Sequence, residues 1–368
     1  MHVAMIGLKG LPGTFGGVER HVEELGAALV ARGHEVTAYV RRHYTPEAIE
    51  VRGIQTLLRP TIHTKHLDAT VHSIFSALHA GKQDYDLVHF HAIGPASFAW
   101  LTRMRGMPVI ATIHSLDYMR DKWGAFAKWY LRRAERKTIK YADRVICVSE
   151  SMARRHVNER TPVVHIPNGV TIPTIRPPRI IKEQWGLQGG DYVLYAGRLS
   201  PEKGVHHLVR AYHRVASKRK LIIAGGTSHT DDYVKMLKRD ADARTLFVGY
   251  QEGEALTELF SNAAAFVLPS DHEGMPVALL EAWSYGLPCL VSNIEACCEI
   301  ADKEGEFCTY FNKGNADHLA AKLELLLADP RAILMGETAR RHVINNYGWE
   351  KIARQVERQY NLVLENRR

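Results

Sequence analysis

Apolar residues along this chain fall into short continuous runs, separated by glycine-bearing loops and amphipathic stretches. Residues 2–7 (HVAMIG), 35–42 (EVTAYVRR), 86–92 (DLVHFHA), 108–115 (PVIATIHS), 144–149 (RVICVS) and 163–169 (VVHIPNG) are such runs. Their length and β-branched content predict buried strands of a parallel sheet. After the first run, Val18, Val22, Leu25, Ala28 and Leu29 recur at helical spacing and Gly33 stops the pattern, so a helix is predicted to end there. Strand, glycine loop, helix, strand is the opening of a doubly wound α/β sheet. TIPTIRPPR (171–179) has no apolar period and is proline-rich, which predicts a linker. The pattern then restarts: DYVLYAGRLS (191–200), KLIIAGG (220–226), TLFVGY (245–250), AFVLPS (265–270) and PCLVSN (288–293) alternate with helical stretches. The tail from Asn315 reads as mostly helical, with a break near Gly348. The expectation is two α/β domains, 1–172 and 173–368.

The totals agree with that plan. A chain of 368 residues is long for one core and comfortable for two. Hydrophobic content of 46% and charged content of 24% are ordinary for a globular protein, and no run reaches the ~20 residues of a membrane span. The first residues show no leader pattern, and Cys147, Cys289, Cys297, Cys298 and Cys308 form no CxxC pair; both point to a reducing cytoplasm. A net charge of +8 favours phosphate-rich ligands or an anionic membrane face, and no nucleic-acid motif accompanies it.

Candidate chemistry centres on SDHEGMPVALLEAWSYG (270–286). Pro276 suits a helix start, which places Glu273, Gly274 and Met275 in the preceding loop, Val277 at the start and Glu281 further along. Free N–H groups at that start suit ligand oxygens, and Glu281 is an acceptor suited to a diol such as ribose. An amphipathic helix with two ordinary carboxylates is the plainer alternative. In GRLSPEKG, Arg198 and Lys203 at the end of a strand suit a diphosphate, or are surface cations. His114 ends a strand where open sheets bind ligands, with Asp117 nearby and His91 similarly placed. The loop Gly7–Gly13, closing in Gly16 and Gly17, is a candidate phosphate cradle, and it invites an NADP-type rival in which Arg41 and Arg42 grip a 2′-phosphate. Gly226, Thr227 and Val248 end strands where backbone groups suit a base edge. Two D-x-D strings, Asp84–Asp86 and Asp240–Asp242, are the weak case for a metal, and none is expected. Segment 122–140 interleaves aromatics with Lys and Arg, which fits either an anionic membrane or a helix that buries its rings.

The run E-G-M-P-V-A-L-L-E resembles the E-x7-E motif of retaining glycosyltransferases of family 4. G-R-x-x-x-x-K-G (Gly197, Arg198, Lys203, Gly204) and the Gly16-Gly17-hydrophobic-Glu segment are similar to that family's landmarks, in the same order. The resemblance implies the GT-B fold: two Rossmann-like domains facing across a cleft, with the last helix (about 350–366) crossing back to the first. It implies that Glu273 holds donor-sugar hydroxyls, Glu281 the ribose, Arg198 and Lys203 the pyrophosphate, and His114 the sugar. It places Gly16 and Gly17 near the reaction centre and implies sugar transfer from a nucleotide-diphospho-sugar to a glycan or lipid-linked acceptor, without a cofactor. The layout leans towards polysaccharide-assembly enzymes, rhamnosyltransferases among them. A sugar-nucleotide epimerase, an NADP oxidoreductase and a non-catalytic nucleotide-sugar sensor are the alternatives.

Overall fold

The computed structural model describes all residues except 14–15, 63, 65–66, 117, 119–123, 228–229, 302–305 and 368. The chain forms two compact units, Met1–Gly169 with Trp349–Arg368, and Val170–Gly348. The first unit thus takes in the last twenty residues and ends at Gly169.

In the first unit, β1 (His2–Ile6), β2 (Glu35–Arg41), β3 (Glu50–Val51), β4 (Ile54–Arg59), β5 (Leu87–His91), β6 (Val109–Ile113), β7 (Arg144–Cys147) and β8 (Val163–His165) form one sheet. Its order is β3-β4-β2-β1-β5-β6-β7-β8, parallel except for the β3–β4 hairpin. β5 and β6 are buried at every position, as strands covered on both faces must be. The hairpin escapes a reading by apolar runs, because β3 has two residues and β4 is only partly buried. Its turn is Arg52-Gly53 with φ of 52° and 82°, the doubly left-handed geometry of a two-residue hairpin.

Helix Gly17–Ala31 buries Val22, Leu25 and Leu29 against this sheet, in one cluster with Ile352, Val356, Tyr360 and Val363 of helix Trp349–Glu365. Polar contacts fix that terminal helix as well. Arg32 and His34 both bond Glu357, at 2.5 and 2.8 Å, and Arg144 bonds Gln359 at 2.6 Å. Tyr360 OH lies 2.7 Å from His89 Nδ1, and His89 Nε2 lies 2.7 Å from Thr112 Oγ1, so both nitrogens of this fully buried ring are satisfied.

The second unit carries β9 (Tyr192–Ala196), β10 (Lys220–Ala224), β11 (Thr245–Gly249), β12 (Ala265–Leu268), β13 (Cys289–Ser292) and β14 (Thr309–Phe311). They form a fully parallel sheet in the order β11-β10-β9-β12-β13-β14. β14, three residues with one buried, is the strand here that the apolar pattern does not announce. The helical tail divides into Ala316–Ala328, Ala332–Asn346 and Trp349–Glu365.

Both sheets have a point where strand order reverses, between β1 and β5 in the first and between β9 and β12 in the second. Open α/β sheets bind ligands at the carboxyl ends of the strands flanking such a point.

Tyr360→Phe removes one hydroxyl and leaves a buried His89 nitrogen unpaired. It should lower the stability of the first unit by about 1–3 kcal/mol, read by urea denaturation; an unchanged unfolding midpoint would show that this bond contributes nothing.

Candidate active site

Residues 197–204 leave the end of β9 and residues 269–276 leave the end of β12, so the reversal point of the second sheet sets these two loops side by side. Gly204, at φ 64°, brings them into backbone contact: a Cβ there would stand 2.0 Å from the Pro269 carbonyl oxygen. The Glu202 carbonyl accepts from the Asp271 amide at 2.9 Å, and Ser292 Oγ donates to the Ser270 carbonyl at 2.5 Å. The two motifs then meet through side chains. Lys203 Nζ donates to both carboxylate oxygens of Glu273 at 2.7 Å, and Ser270 Oγ donates to Oε1 at 2.7 Å. The Glu273 side chain is 7% exposed and that of Lys203 21%, so the charge pair is largely withdrawn from water. Arg198 is exposed, and its carbonyl accepts from Tyr195 OH.

Gly274 and Met275 follow in the loop, and helix Val277–Ser284 starts immediately after Pro276. Pro276 therefore stands before the first turn, its carbonyl taking the Leu279 and Leu280 N–H groups. The Val277 N–H is engaged by Met275 at 2.9 Å, so it is not one of the free donors expected at this start. The helix buries Leu279, Leu280, Ala282, Trp283 and Ser284 and leaves Glu281 partly exposed. Gly226 and Thr227 follow β10, and Val248 lies in the adjacent β11. Thr227 Oγ1 donates to Asp231, and the Val248 carbonyl accepts from Gln251 at 2.6 Å, so that carbonyl is already in use. An exposed Tyr250 ring stands beside Gly226 at the same edge, a feature that sequence reading passed over.

The first unit assembles a second constellation. His91 ends β5 and His114 follows β6, with His91 Nδ1 3.2 Å from His114 Nε2. His21, from helix Gly17–Ala31, sets its ring 4.6 Å from that of His114, and its Nδ1 donates to Asn168 Oδ1 at 2.8 Å. Burial pushes His21 down to about 4, and burial reinforced by the neighbouring histidines holds His91 and His114 well below the usual histidine range. All three rings are neutral near pH 7. Sequence reading missed His21 because it sits among the apolar positions of an amphipathic helix, where a histidine resembles core filler. Gly16 and Gly17 lie exposed at that helix's start, and Asp117 lies outside the described residues.

The glycine loop corrects the phosphate-cradle expectation. The Lys9 and Gly13 amides donate to Glu19 and Glu23, and the Leu11 amide to Thr45, so an anion would have to displace two carboxylates. Arg41, the 2′-phosphate candidate, is buried and bonds Asp68 at 2.7 Å. Three of the four D-x-D acids have structural partners: Asp86 receives the His2 amide, Asp240 pairs with Arg239, and Asp242 holds Arg244. No cysteine is in a disulfide; Cys147, Cys289, Cys297 and Cys308 are buried, and burial pushes their thiols up. Helix Ala125–Tyr141 does not bury its aromatics. Phe126 is 79% exposed and Trp129 51%, the two rings stack, and Arg133 lies over Trp129.

The chain as a whole is similar to known proteins. Residues 15–172 match the model of Glycosyltransferase Family 4, and residues 179–349 match that of glycosyl transferases group 1. An uncharacterized glycosyltransferase of Methanocaldococcus jannaschii is 27% identical, over 99% of each chain. A UDP-Gal:alpha-D-GlcNAc-diphosphoundecaprenol alpha-1,3-galactosyltransferase of Escherichia coli is 25% identical over 83% of this chain and 81% of its own. The structure of sucrose-phosphate synthase from Thermosynechococcus elongatus superposes with a TM-score of 0.86 at 24% identity, covering 99% of both chains. The fold is of the GT-B class, and the chain belongs to glycosyltransferase family 4.

Proposed function

We propose that this glycosyltransferase moves a hexosyl or deoxyhexosyl group, with retention and without a metal, from a nucleotide-diphospho-sugar to a hydroxyl of a glycan or lipid-linked sugar in polysaccharide assembly. The observation that carries this reading is the contact of Lys203 with Glu273 at the reversal point of the second sheet, with exposed Arg198 on the same β9 loop. A diphosphate leaving group needs positive charge that is positioned before bonds break. Arg198 supplies a fork and Lys203 a point charge. An ammonium has three N–H donors, so Lys203 can face a phosphate while still bonded to Glu273, whose carboxylate then orients sugar hydroxyls. Glu281 takes the ribose diol, Gly274–Val277 line the donor, and Gly226, Thr227 and Val248 flank the base. In the first unit, Gly16, Gly17 and His114 serve the sugar and acceptor. In transfer, the acceptor oxygen bonds the anomeric carbon on the face the phosphate leaves. The carbon–phosphate-oxygen bond breaks, and the acceptor proton passes to the departing phosphate oxygen. The Escherichia coli relative's diphosphoundecaprenol acceptor supports a lipid-linked one here.

The exposed aromatic and basic face of helix Ala125–Tyr141 supports a peripheral role at the inner face of the cytoplasmic membrane. Among the described residues no helix is long and apolar enough to cross a bilayer.

Arg198→Ala and Lys203→Ala should each weaken nucleoside-diphosphate binding at least tenfold in calorimetry, whereas Glu273→Gln should spare it and abolish transfer. Stabilisation by one of UDP, GDP, ADP or dTDP, unaffected by EDTA, is expected in thermal shift; unchanged diphosphate affinity in both cation variants would remove this site. In flotation assays the protein should bind vesicles containing phosphatidylglycerol and release from them in Phe126→Ser/Trp129→Ser. Equal binding by that variant would rule out the helix as the membrane face.

A further inference from the structure

Three imidazoles converge in the first unit from three separate elements. One ring nitrogen each from His21, His91 and His114 lies within 4.8 Å of the other two. One pair, His91 Nδ1 and His114 Nε2, is separated by 3.2 Å. Two nitrogens on a tetrahedral zinc with bonds of about 2.0–2.1 Å are about 3.3 Å apart, so this pair already has the spacing of one edge of the tetrahedron. His21 supplies an independent sign. Its Nδ1 donates to Asn168, which fixes the tautomer and leaves Nε2 with a lone pair. That Nε2 is buried with no hydrogen-bond partner among the described residues, on a side chain only 6% exposed. A buried acceptor without a donor is costly, and this one requires an account.

We propose that His21, His91 and His114 form a binding site for one divalent transition-metal ion of the zinc type. Imidazole nitrogens without carboxylates suit Zn²⁺ or Co²⁺ and not Mg²⁺ or Ca²⁺. The Asn168 bond gives His21 the outer-shell support that metal-binding histidines need. Three protein ligands leave a fourth position for water or a substrate oxygen. If His114 serves the sugar, as the proposed function has it, an ion held there blocks that role, so this metal inhibits transfer and does not support it.

The test is titration of metal-stripped full-length protein with Co²⁺, followed by visible absorption. One equivalent should give the intense bands of a tetrahedral site, Zn²⁺ should displace it, and Mg²⁺ should not. His21→Gln and His91→Gln should each weaken Co²⁺ binding at least tenfold, with far-ultraviolet circular dichroism confirming the fold. X-ray absorption of the zinc-loaded wild type covers the case in which a variant does not fold: nitrogen ligands at about 2.0–2.1 Å, without sulfur, are expected. Absence of tetrahedral bands, sulfur in the shell, or unchanged affinity in both folded variants would overturn the site. Tight Co²⁺ binding without zinc inhibition of transfer would leave the site standing and overturn the assignment of His114 to the sugar.

Discussion

Strand-order reversal in a parallel sheet is the constraint on which the rest of this molecule depends. Where neighbouring strands send their connections in opposite directions, their carboxyl ends open a crevice that helices do not cover. In the second unit that crevice lies between β9 and β12, and both charged motifs sit on the loops that leave those strands. Lys203 and Glu273, seventy residues apart in sequence, become a bidentate ion pair because the fold makes their strands neighbours. Gly204 has no side chain for a related reason, since the opposing backbone occupies the volume a Cβ would need.

The same topology in the first unit produces different chemistry. Its reversal point lies between β1 and β5, and what gathers at those strand ends is imidazole, with carboxylates turned inward to hold the loop after β1. One unit thus gathers charged groups near its reversal point and the other gathers imidazoles, a difference that follows from which side chains occupy equivalent places on related sheets.

Much of this was legible in the sequence. Buried parallel strands announce themselves as apolar runs, so β1, β5, β6, β9 and β10 were readable, and E-x7-E and G-R-x-x-x-x-K-G drew attention to two loops that the fold brings into contact. Three things were not. β3, β4 and β14 are short or half-covered, and their stability comes from neighbours that a linear pattern does not show. The loop after β1 reads as an anion cradle until Glu19 and Glu23 fold back to take its amides, which is a tertiary event. His21 lies on a helix face chosen for burial, and only the partners it meets there distinguish a chemical role from filler.

The terminal helix has a consequence for biosynthesis. Residues 349–365 complete a core whose other members lie before residue 170. A ribosome working from the amino end must release the whole intervening unit before the first can close its hydrophobic face. The inserted unit, whose residues are contiguous, can fold first. Until helix Trp349–Glu365 emerges, this cluster lacks Ile352, Ala353, Val356, Tyr360 and Val363, which leaves apolar surface on the nascent first half for chaperones to cover. Truncated expression of residues 1–169 would reproduce that exposed intermediate.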